Sequence, residues 1–218
     1  MRIDVWSDVI CPWCYLGVHR LDLALDRLGW GDEVEVHLRA FQLDPSASTE
    51  PGDLRQAIER KYGPGAFDSM TTRLARLGEA EGLDYRFDLA LRVNTLDAHR
   101  LLAWADEQLD EQGAAAQAAL GQRLFQAYFT EGANVADNVV LARLAGEAGL
   151  DADAASEVLA GDAYIAEVRK DIAEARDRDI HGVPNFVVED RFAIPGAQDV
   201  DTMVTLLERA RERLTAGS

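Results

Sequence analysis

Proline is scarce in this sequence, and long runs of apolar residues are missing. With 6 prolines, 48% hydrophobic and 28% charged residues, the composition is that of a globular enzyme rather than a disordered or fibrous chain. No apolar run approaches the roughly 20 residues that span a bilayer, so a membrane anchor is not expected. The 218 residues suffice for one domain with a large insertion or for two small domains.

Basic residues are also few. The 22 Lys and Arg stand against 39 Asp and Glu, which gives a formal net charge of -17 at pH 7. This charge repels phosphate backbones and anionic lipid surfaces, and no stripe rich in Lys or Arg interrupts it. The composition therefore predicts that neither nucleic acid nor a membrane is a partner.

The first residues lack the charged, apolar and cleavage regions of a secretory signal. Met1 to Trp6 instead begin directly with the alternation of a strand. We therefore expect a cytoplasmic protein. In that reducing compartment a close pair of cysteines is more typical of catalysis, redox sensing or metal binding than of a permanent cross-link.

Periodic patterns predict a βαβ unit at the start of the chain. Residues 3–7 and 34–40 alternate as strands do, and residues 12–28 have an apolar helical face. The only two cysteines of the sequence, Cys11 and Cys14, lie where the first strand meets this helix. Strand, helix and strand in this order form a recurring supersecondary unit.

The middle of the chain has a different pattern. From residue 45 to residue 180 the periodicity is helical only, and we expect no strand there. Two short β runs return at Pro184 to Val188 and at Arg191 to Ile194, as in a hairpin. Asp199 then caps a final amphipathic helix.

The spacing of the two cysteines predicts a different chemical role for each of them. Cys11 is expected at the N-terminus of the helix, where unpaired backbone N–H groups and the macrodipole favour an anion. We expect Cys11 to ionise readily and to attack a disulfide, because the thiolate is the nucleophile. Cys14, one helical turn on, is placed to resolve the resulting mixed disulfide.

The two residues between the cysteines also have predicted roles. Pro12 suits the first helical position, because its fixed φ fits a helix and its missing N–H has no helical partner to lose. Trp13 either flanks the sulfur atoms or serves as an ordinary packing residue.

A zinc site is the main alternative for a pair of cysteines at this spacing, since such a pair supplies half of a tetrahedral set. The other half is hard to find, because the sequence has no further cysteine and its four histidines show no ligand spacing. These histidines are His19, His37, His99 and His181. The sequence thus favours redox chemistry and predicts no metal.

Three parts of the sequence resemble the FrnE-like branch of the DsbA family of thiol-disulfide oxidoreductases. They are the run SDVICPWCYLG from Ser7 to Gly17, the segment from Asn94 to Arg100, and Gly182-Val183-Pro184. The resemblance covers nearly the whole chain. It implies an α/β thioredoxin-like fold, βαβ … αββα, built from residues 1–44 and 181–218, with residues 45–180 inserted as an all-helical domain over the active site.

The same resemblance implies a substrate-binding edge. Pro184, preceded by Val183, corresponds to a cis proline that faces the cysteine pair and pairs its backbone with a bound substrate. Without the resemblance, Pro184 is equally well read as an ordinary proline at the start of a strand. The resemblance also places Asn94 and His99 at the cleft, although a lone histidine more often has a core or capping role.

Two further residues near the motif remain open. Asp8 could relay a proton to or from Cys14, or it could serve as a turn or cap residue before the helix. His181, close to Pro184, could touch substrate.

Kappa-class glutathione transferases and 2-hydroxychromene-2-carboxylate isomerases resemble this layout but carry serine where Cys11 stands. The cysteine favours disulfide exchange, with protein or small-molecule disulfides as substrates. A transferase-like or isomerase activity on an aromatic or polyketide-like molecule is the alternative enzyme hypothesis, and a redox sensor without turnover is the alternative without catalysis. We expect no organic cofactor beyond a low-molecular-weight thiol as co-substrate. The sequence predicts neither the oligomeric state nor the direction of electron flow.

Overall fold

The computed structural model describes residues 1–108 and 113–216, so the predicted segments 45–180 and 181–218 extend over a few positions outside the described residues. The chain opens with β1 (Arg2–Ser7), α1 (Pro12–Leu28) and β2 (Glu35–Ala40). The middle contains β3 (Gly52–Asp53), α2 (Leu54–Tyr62), α3 (Ala66–Ala80), β4 (Leu91–Arg92), α4 (Leu96–Asp106), α5 (Gly113–Phe129), α6 (Asn138–Glu147), α7 (Ala152–Ala160) and α8 (Ile165–Asp177). It closes with β5 (Asn185–Val188), β6 (Phe192–Pro195) and α9 (Val200–Ala216).

Both ends of the chain meet in one four-stranded sheet of order β2-β1-β5-β6. β1 pairs parallel with β2 and antiparallel with β5, and β6 pairs antiparallel with β5. The parallel pair is connected through α1, as a parallel connection requires. This sheet, with α1 and α9 packed together on it, is the predicted thioredoxin-like arrangement.

Helix α1 begins and ends where its sequence dictates. Pro12 occupies the first helical position, and Gly29 ends the helix in the left-handed conformation with φ 67, which glycine adopts without steric cost. Its inward face, including Leu21 and Ala24, is fully buried. The cysteine motif therefore sits on a well-anchored helix.

The second face of the sheet is covered by α8, a helix within the predicted insertion. The Trp6 indole donates a hydrogen bond to the Asp171 carbonyl oxygen (3.0 Å), and Trp6 packs with Ala175 and Val187. The Asp171 carboxylate accepts from the Ala40 N–H at 3.0 Å. The helical segment thus supplies one layer of the thioredoxin-like fold.

The edge strand β2 is closed by a second side chain from the helical segment. The Gln117 amide accepts from the Leu38 N–H (2.6 Å) and donates to the Leu38 carbonyl oxygen (3.1 Å), which satisfies groups that an open edge would leave unpaired. One hydrophobic core extends from the sheet into α4, α5 and α6. The division of the chain at residues 44 and 180 into two domains stays a prediction.

In the described part of the middle of the chain, one short pair of strands, β3 and β4, occurs besides the helices. Gly52 and Asp53 pair antiparallel with Arg92 and Leu91. Two residues per strand leave no alternation for a sequence pattern to show, which is why only helices were expected here. Within the described residues no helix combines the length and the apolar content that crossing a membrane requires.

Candidate active site

Cys11 occupies the N-cap position of α1, as predicted. Its backbone is extended (φ -89, ψ 112), and its carbonyl oxygen accepts from the N–H groups of Cys14 at 3.0 Å and Tyr15 at 3.2 Å. The first turn of the helix contains no acidic residue. The positive end of the helix dipole therefore lies at the Cys11 sulfur without an opposing carboxylate in that turn.

The Val183-Pro184 peptide bond lies beside this sulfur and is cis. The Val183 carbonyl oxygen is 3.8 Å from Cys11 Sγ. Gly17 on α1 makes this approach possible, because a Cβ atom there would come within 2.8 Å of Pro184 Cγ. The structure thus brings Val183 and Pro184 to the cysteine pair, in the place that the resemblance implied.

Cys14 differs sharply from Cys11 in its surroundings. Both cysteines are free thiols, and 4% of Cys11 but none of Cys14 is exposed. Burial raises the pKa of Cys14 well above the usual thiol value, and the adjacent Cys11 sulfur raises it further. Hydrogen bonds from the Asp8 backbone and the Ser7 side chain act in the opposite direction but do not reverse the shift. Cys14 is therefore held as a protonated thiol.

Tyr85, which the sequence analysis did not single out, contacts the motif directly. Its hydroxyl donates a 2.7 Å hydrogen bond to the Pro12 carbonyl oxygen. Burial raises the pKa of Tyr85, with smaller contributions from Tyr15 and the two cysteines. A signal was present, because Leu83, Tyr85, Phe87 and Leu89 alternate with charged residues, as side chains do in a half-buried extended segment.

Aromatic rings join this segment to the redox helix. Tyr15 stacks on Phe125 (5.3 Å between centroids) and on Phe129 (5.9 Å), while Tyr85 meets Tyr15 edge-on at 5.5 Å. Offset stacked and edge-on pairs are the favoured geometries for such rings. The residue after Cys14 is thus clamped by α5 and by the segment that follows α3.

Asp8 and His99 form a buried pair near the motif. Asp8 is fully buried, and its Oδ2 accepts from the Leu43 N–H at 2.8 Å. Its Oδ1 has no hydrogen-bond partner in the described part of the chain and lies 3.4 Å from His99 Nε2. His99 Nε2 is also 3.0 Å from the Phe41 carbonyl oxygen, which can only accept, so this nitrogen carries the proton.

Asn94, which the resemblance places at the cleft, is fixed by four hydrogen bonds. Its amide donates to the carbonyl oxygens of Pro45 (3.3 Å) and Ala47 (3.0 Å). Its Oδ1 accepts from Gln42 Nε2 (3.2 Å) and from the Leu96 N–H (2.8 Å). Since all four hydrogen-bonding positions of the amide are filled, Asn94 holds the loop after β2 and presents no free polar group to a substrate.

Trp13 and His181, two further predicted site residues, differ in exposure. Trp13 is half-buried, and the Arg73 guanidinium carbon is 5.8 Å from the centroid of its ring. The His181 side chain is 81% exposed, and its nearest carboxylate, that of Asp179, is 4.0 Å away. No group of three or more metal-ligating side chains occurs among residues 1–108 and 113–216.

Known proteins resemble this chain over most of its length. The crystal structure of a probable DsbA oxidoreductase from Streptomyces coelicolor is 34% identical, with a TM-score of 0.88 over 97% of this chain and 90% of that chain. The uncharacterized protein YwbO of Bacillus subtilis (strain 168) is 29% identical over 92% of each chain. A 2-hydroxychromene-2-carboxylate isomerase, 19% identical with a TM-score of 0.67 over 99% of this chain and 96% of that chain, shares the fold.

Residues 2–208 match the DSBA-like thioredoxin domain. This match covers the cysteine motif, the helices in between and the Val183-Pro184 segment, so it includes every part of the site described above. The chain therefore belongs to the DSBA-like thioredoxin domain family.

Proposed function

We propose that the protein is a thiol-disulfide oxidoreductase that exchanges electrons between the Cys11-Cys14 pair and the disulfides of protein or small-molecule substrates. The observation that carries this proposal is the asymmetry of the two thiols. Cys11 lies at a helix N-terminus beside the Val183 carbonyl oxygen, whereas the fully buried Cys14 has a raised pKa. Such asymmetry suits one attacking and one resolving cysteine.

The reaction proceeds in two exchanges. The Cys11 thiolate attacks one sulfur of the substrate disulfide, so that a bond from Cys11 to that sulfur forms while the substrate bond breaks and the other sulfur leaves as a thiolate. Cys14 then loses its proton and attacks Cys11 Sγ, which releases the second substrate thiolate. Two electrons pass from the protein to the substrate, and the oxidised pair carries out the same steps in reverse.

The second exchange needs an acceptor for the Cys14 proton. Asp8 supports this role, because its backbone N–H and the preceding Ser7 hydroxyl contact the Cys14 sulfur and its Oδ1 has no hydrogen-bond partner among the described residues. His99, with its Nε2 at 3.4 Å from Asp8 Oδ1, positions that carboxylate. We assign Asp8 as the proton relay and His99 as a positioning residue.

Substrate docks along the backbone at Val183 and Pro184, which lies next to Cys11 and offers main-chain groups to an extended segment. Pro12 and Trp13 flank the sulfur on the other side. The helical segment between residues 45 and 180 forms the far wall and selects the substrate, with Asn94 fixing the loop after β2. Neither exchange requires a metal or an organic cofactor, and we place the protein in the cytoplasm with a low-molecular-weight thiol as co-substrate.

A trapping experiment tests this assignment. Cys14→Ser protein should accumulate a mixed disulfide on Cys11 with a disulfide substrate, because the resolving thiol is missing, whereas Cys11→Ser protein should accumulate none. Intact-mass spectrometry after an acid quench measures the mixed disulfide in both variants. Accumulation on Cys14 of the Cys11→Ser protein at a similar rate would contradict the proposal. Repeated turnover with a disulfide and a reducing thiol distinguishes an oxidoreductase from a sensor, which reacts once per molecule.

A further inference from the structure

Two arginines on α3 have no carboxylate partner among residues 1–108 and 113–216. Arg73 lies over the Trp13 ring, and Arg76 follows one helical turn later on α3. Neither forms an ion pair within the described residues. Two arginines that contact α3 from other helices are paired, Arg20 with Glu81 and Arg55 with Asp68. In a chain with a formal net charge of -17, two adjacent cations without counterions mark a surface suited to an external anion.

The path of α3 brings this surface to the active site. Trp13 near the start of α1 contacts Arg73, and Arg20 further along α1 bonds to Glu81 at the end of α3. The two helices therefore run side by side in the same direction. Since Arg73 lies beside Trp13, the first turns of α3 extend past the N-terminus of α1, where Cys11 is located.

A shallow groove that is open to solvent follows this face of α3. Its lining comprises Asp68, Ser69, Thr72, Arg73, Arg76 and Leu77. The Asp68 carboxylate repels a bound anion only weakly, because both its oxygens accept hydrogen bonds from the Arg55 guanidinium at 2.9 Å. The Thr72 hydroxyl already donates to the Asp68 carbonyl oxygen at 2.7 Å. The two guanidinium groups and the Ser69 hydroxyl are the donors in this groove that match a carboxylate.

We propose that this groove binds a carboxylate of a low-molecular-weight disulfide whose sulfur reacts with Cys11. The inference deepens the proposed function and rests on it. A small substrate fits best because only 4% of Cys11 is exposed, so the reacting sulfur must enter a narrow opening. The exchange is the one described above, with the substrate disulfide reduced to two thiols as Cys11 and Cys14 form their disulfide.

Three disulfides of different charge test the proposal. Reduced protein is oxidised by oxidised glutathione, which carries carboxylates, by neutral bis(2-hydroxyethyl) disulfide, and by cationic cystamine. Second-order rate constants come from acid quench, alkylation and mass spectrometry. The Arg73→Gln and Arg76→Gln variants should each slow oxidation by oxidised glutathione about two- to fivefold. This is the effect expected from the loss of one exposed ion pair. The neutral disulfide should react within about twofold of the wild-type rate.

Arg209→Gln, on the exposed side of α9, is the matched control because it removes the same charge from an arginine that has no carboxylate partner in the described chain. Arg209→Gln should leave all three rate constants unchanged. Added salt should reduce the effect of Arg73→Gln and Arg76→Gln, because it screens exposed charges. An unchanged glutathione rate in the Arg73→Gln,Arg76→Gln double variant overturns the proposal, as does an equal loss with all three disulfides. If the wild-type protein reacts with none of the three, the proposed function itself fails.

Discussion

The hydroxyl of Tyr85 is bonded to the carbonyl oxygen of Pro12 at 2.7 Å, inside the cysteine motif. A tyrosine from the segment after α3 therefore satisfies a backbone group between the two cysteines. Gly78 admits its ring, because a Cβ atom there would lie 2.4 Å from Tyr85 Cδ2. The contact links the helical segment to the redox motif through a single hydrogen bond.

Replacement of Tyr85 by Phe should reduce the free energy of unfolding of the reduced protein by about 0.5–1.5 kcal/mol, because the hydrogen bond from its hydroxyl to the Pro12 carbonyl oxygen is lost. Urea denaturation measures this change. Tyr15→Phe is the matched control, since Tyr15 lies in the same aromatic cluster and its hydroxyl has no hydrogen-bond partner in the described chain. Equal losses in the two variants would show that the Tyr85 hydroxyl is not stabilising.

Alkylation should distinguish the two cysteines of the reduced protein. Since burial raises the pKa of Cys14 above 9.0, this thiol stays protonated at neutral pH and reacts only as the pH rises through its folded value. Iodoacetamide at mildly acidic pH should therefore label Cys11 first, as peptide mapping can show. Faster labelling of Cys14 would reverse the assignment. By linkage, the free energy of unfolding should fall above pH 9.0, where the unfolded thiol ionises first.

Asp8→Asn should slow the resolving step and leave the attacking step nearly unchanged. With 5,5'-dithiobis(2-nitrobenzoic acid), the first released thiolate reports attack by Cys11 and the second reports resolution by Cys14. We expect the second phase to slow by roughly a hundredfold at pH 7 and to recover as the pH rises, because hydroxide then replaces the positioned base. The exposed Asp153→Asn is the control. Equal slowing of both phases would assign Asp8 a structural role only.

The sequence predicted the elements that have a local signature. The strands at both ends and α1 follow from alternation and helical periodicity, and the bounds of α1, Pro12–Leu28, agree with the predicted residues 12–28. The position of α8 on the second face of the sheet could not be predicted, since an apolar helical stripe does not specify the surface that it covers. The alternation around Tyr85 indicates a half-buried segment. The partners of Tyr85 and Asn94 could not be predicted, because most of them are distant in sequence.

Asp22 on α1 provides a pH-dependent test of the packing between α1 and α5. Burial raises its pKa to about 6, although its Oδ2 accepts a 2.9 Å hydrogen bond from Gln122. Because the folded pKa exceeds the unfolded value of 3.8, the neutral carboxyl favours folding, and this contribution is lost as the pH rises from 3.8 through about 6. Asp22→Asn should therefore stabilise the protein by about 1–3 kcal/mol at pH 7.

The same substitution should have little effect at pH 3.5, which is below both the folded pKa and the unfolded value of 3.8, so that most Asp22 is protonated in both states. Thermal unfolding at the two pH values measures the difference. Asp153→Asn, at an exposed position of α7, controls for the change in net charge. A stabilisation of equal size at both pH values would contradict the assigned burial of a charged carboxylate.

The approach of Pro184 to α1 depends on the absence of a side chain at Gly17. An alanine there would place its Cβ 2.8 Å from Pro184 Cγ and 3.2 Å from Phe186 Cζ, closer than packed carbon atoms allow, so the Val183-Pro184 segment must move away from Cys11. Overpacking of this kind costs about 1–3 kcal/mol. Gly17→Ala should therefore lower the free energy of unfolding and, in the fraction that remains folded, slow disulfide exchange with every substrate.

Gly31→Ala is the matched control, since a Cβ atom there meets nothing within 4 Å. Exchange rates at a temperature where both variants are fully folded separate the two effects. Unchanged rates in folded Gly17→Ala protein would mean that the position of Val183 next to Cys11 is not needed for exchange.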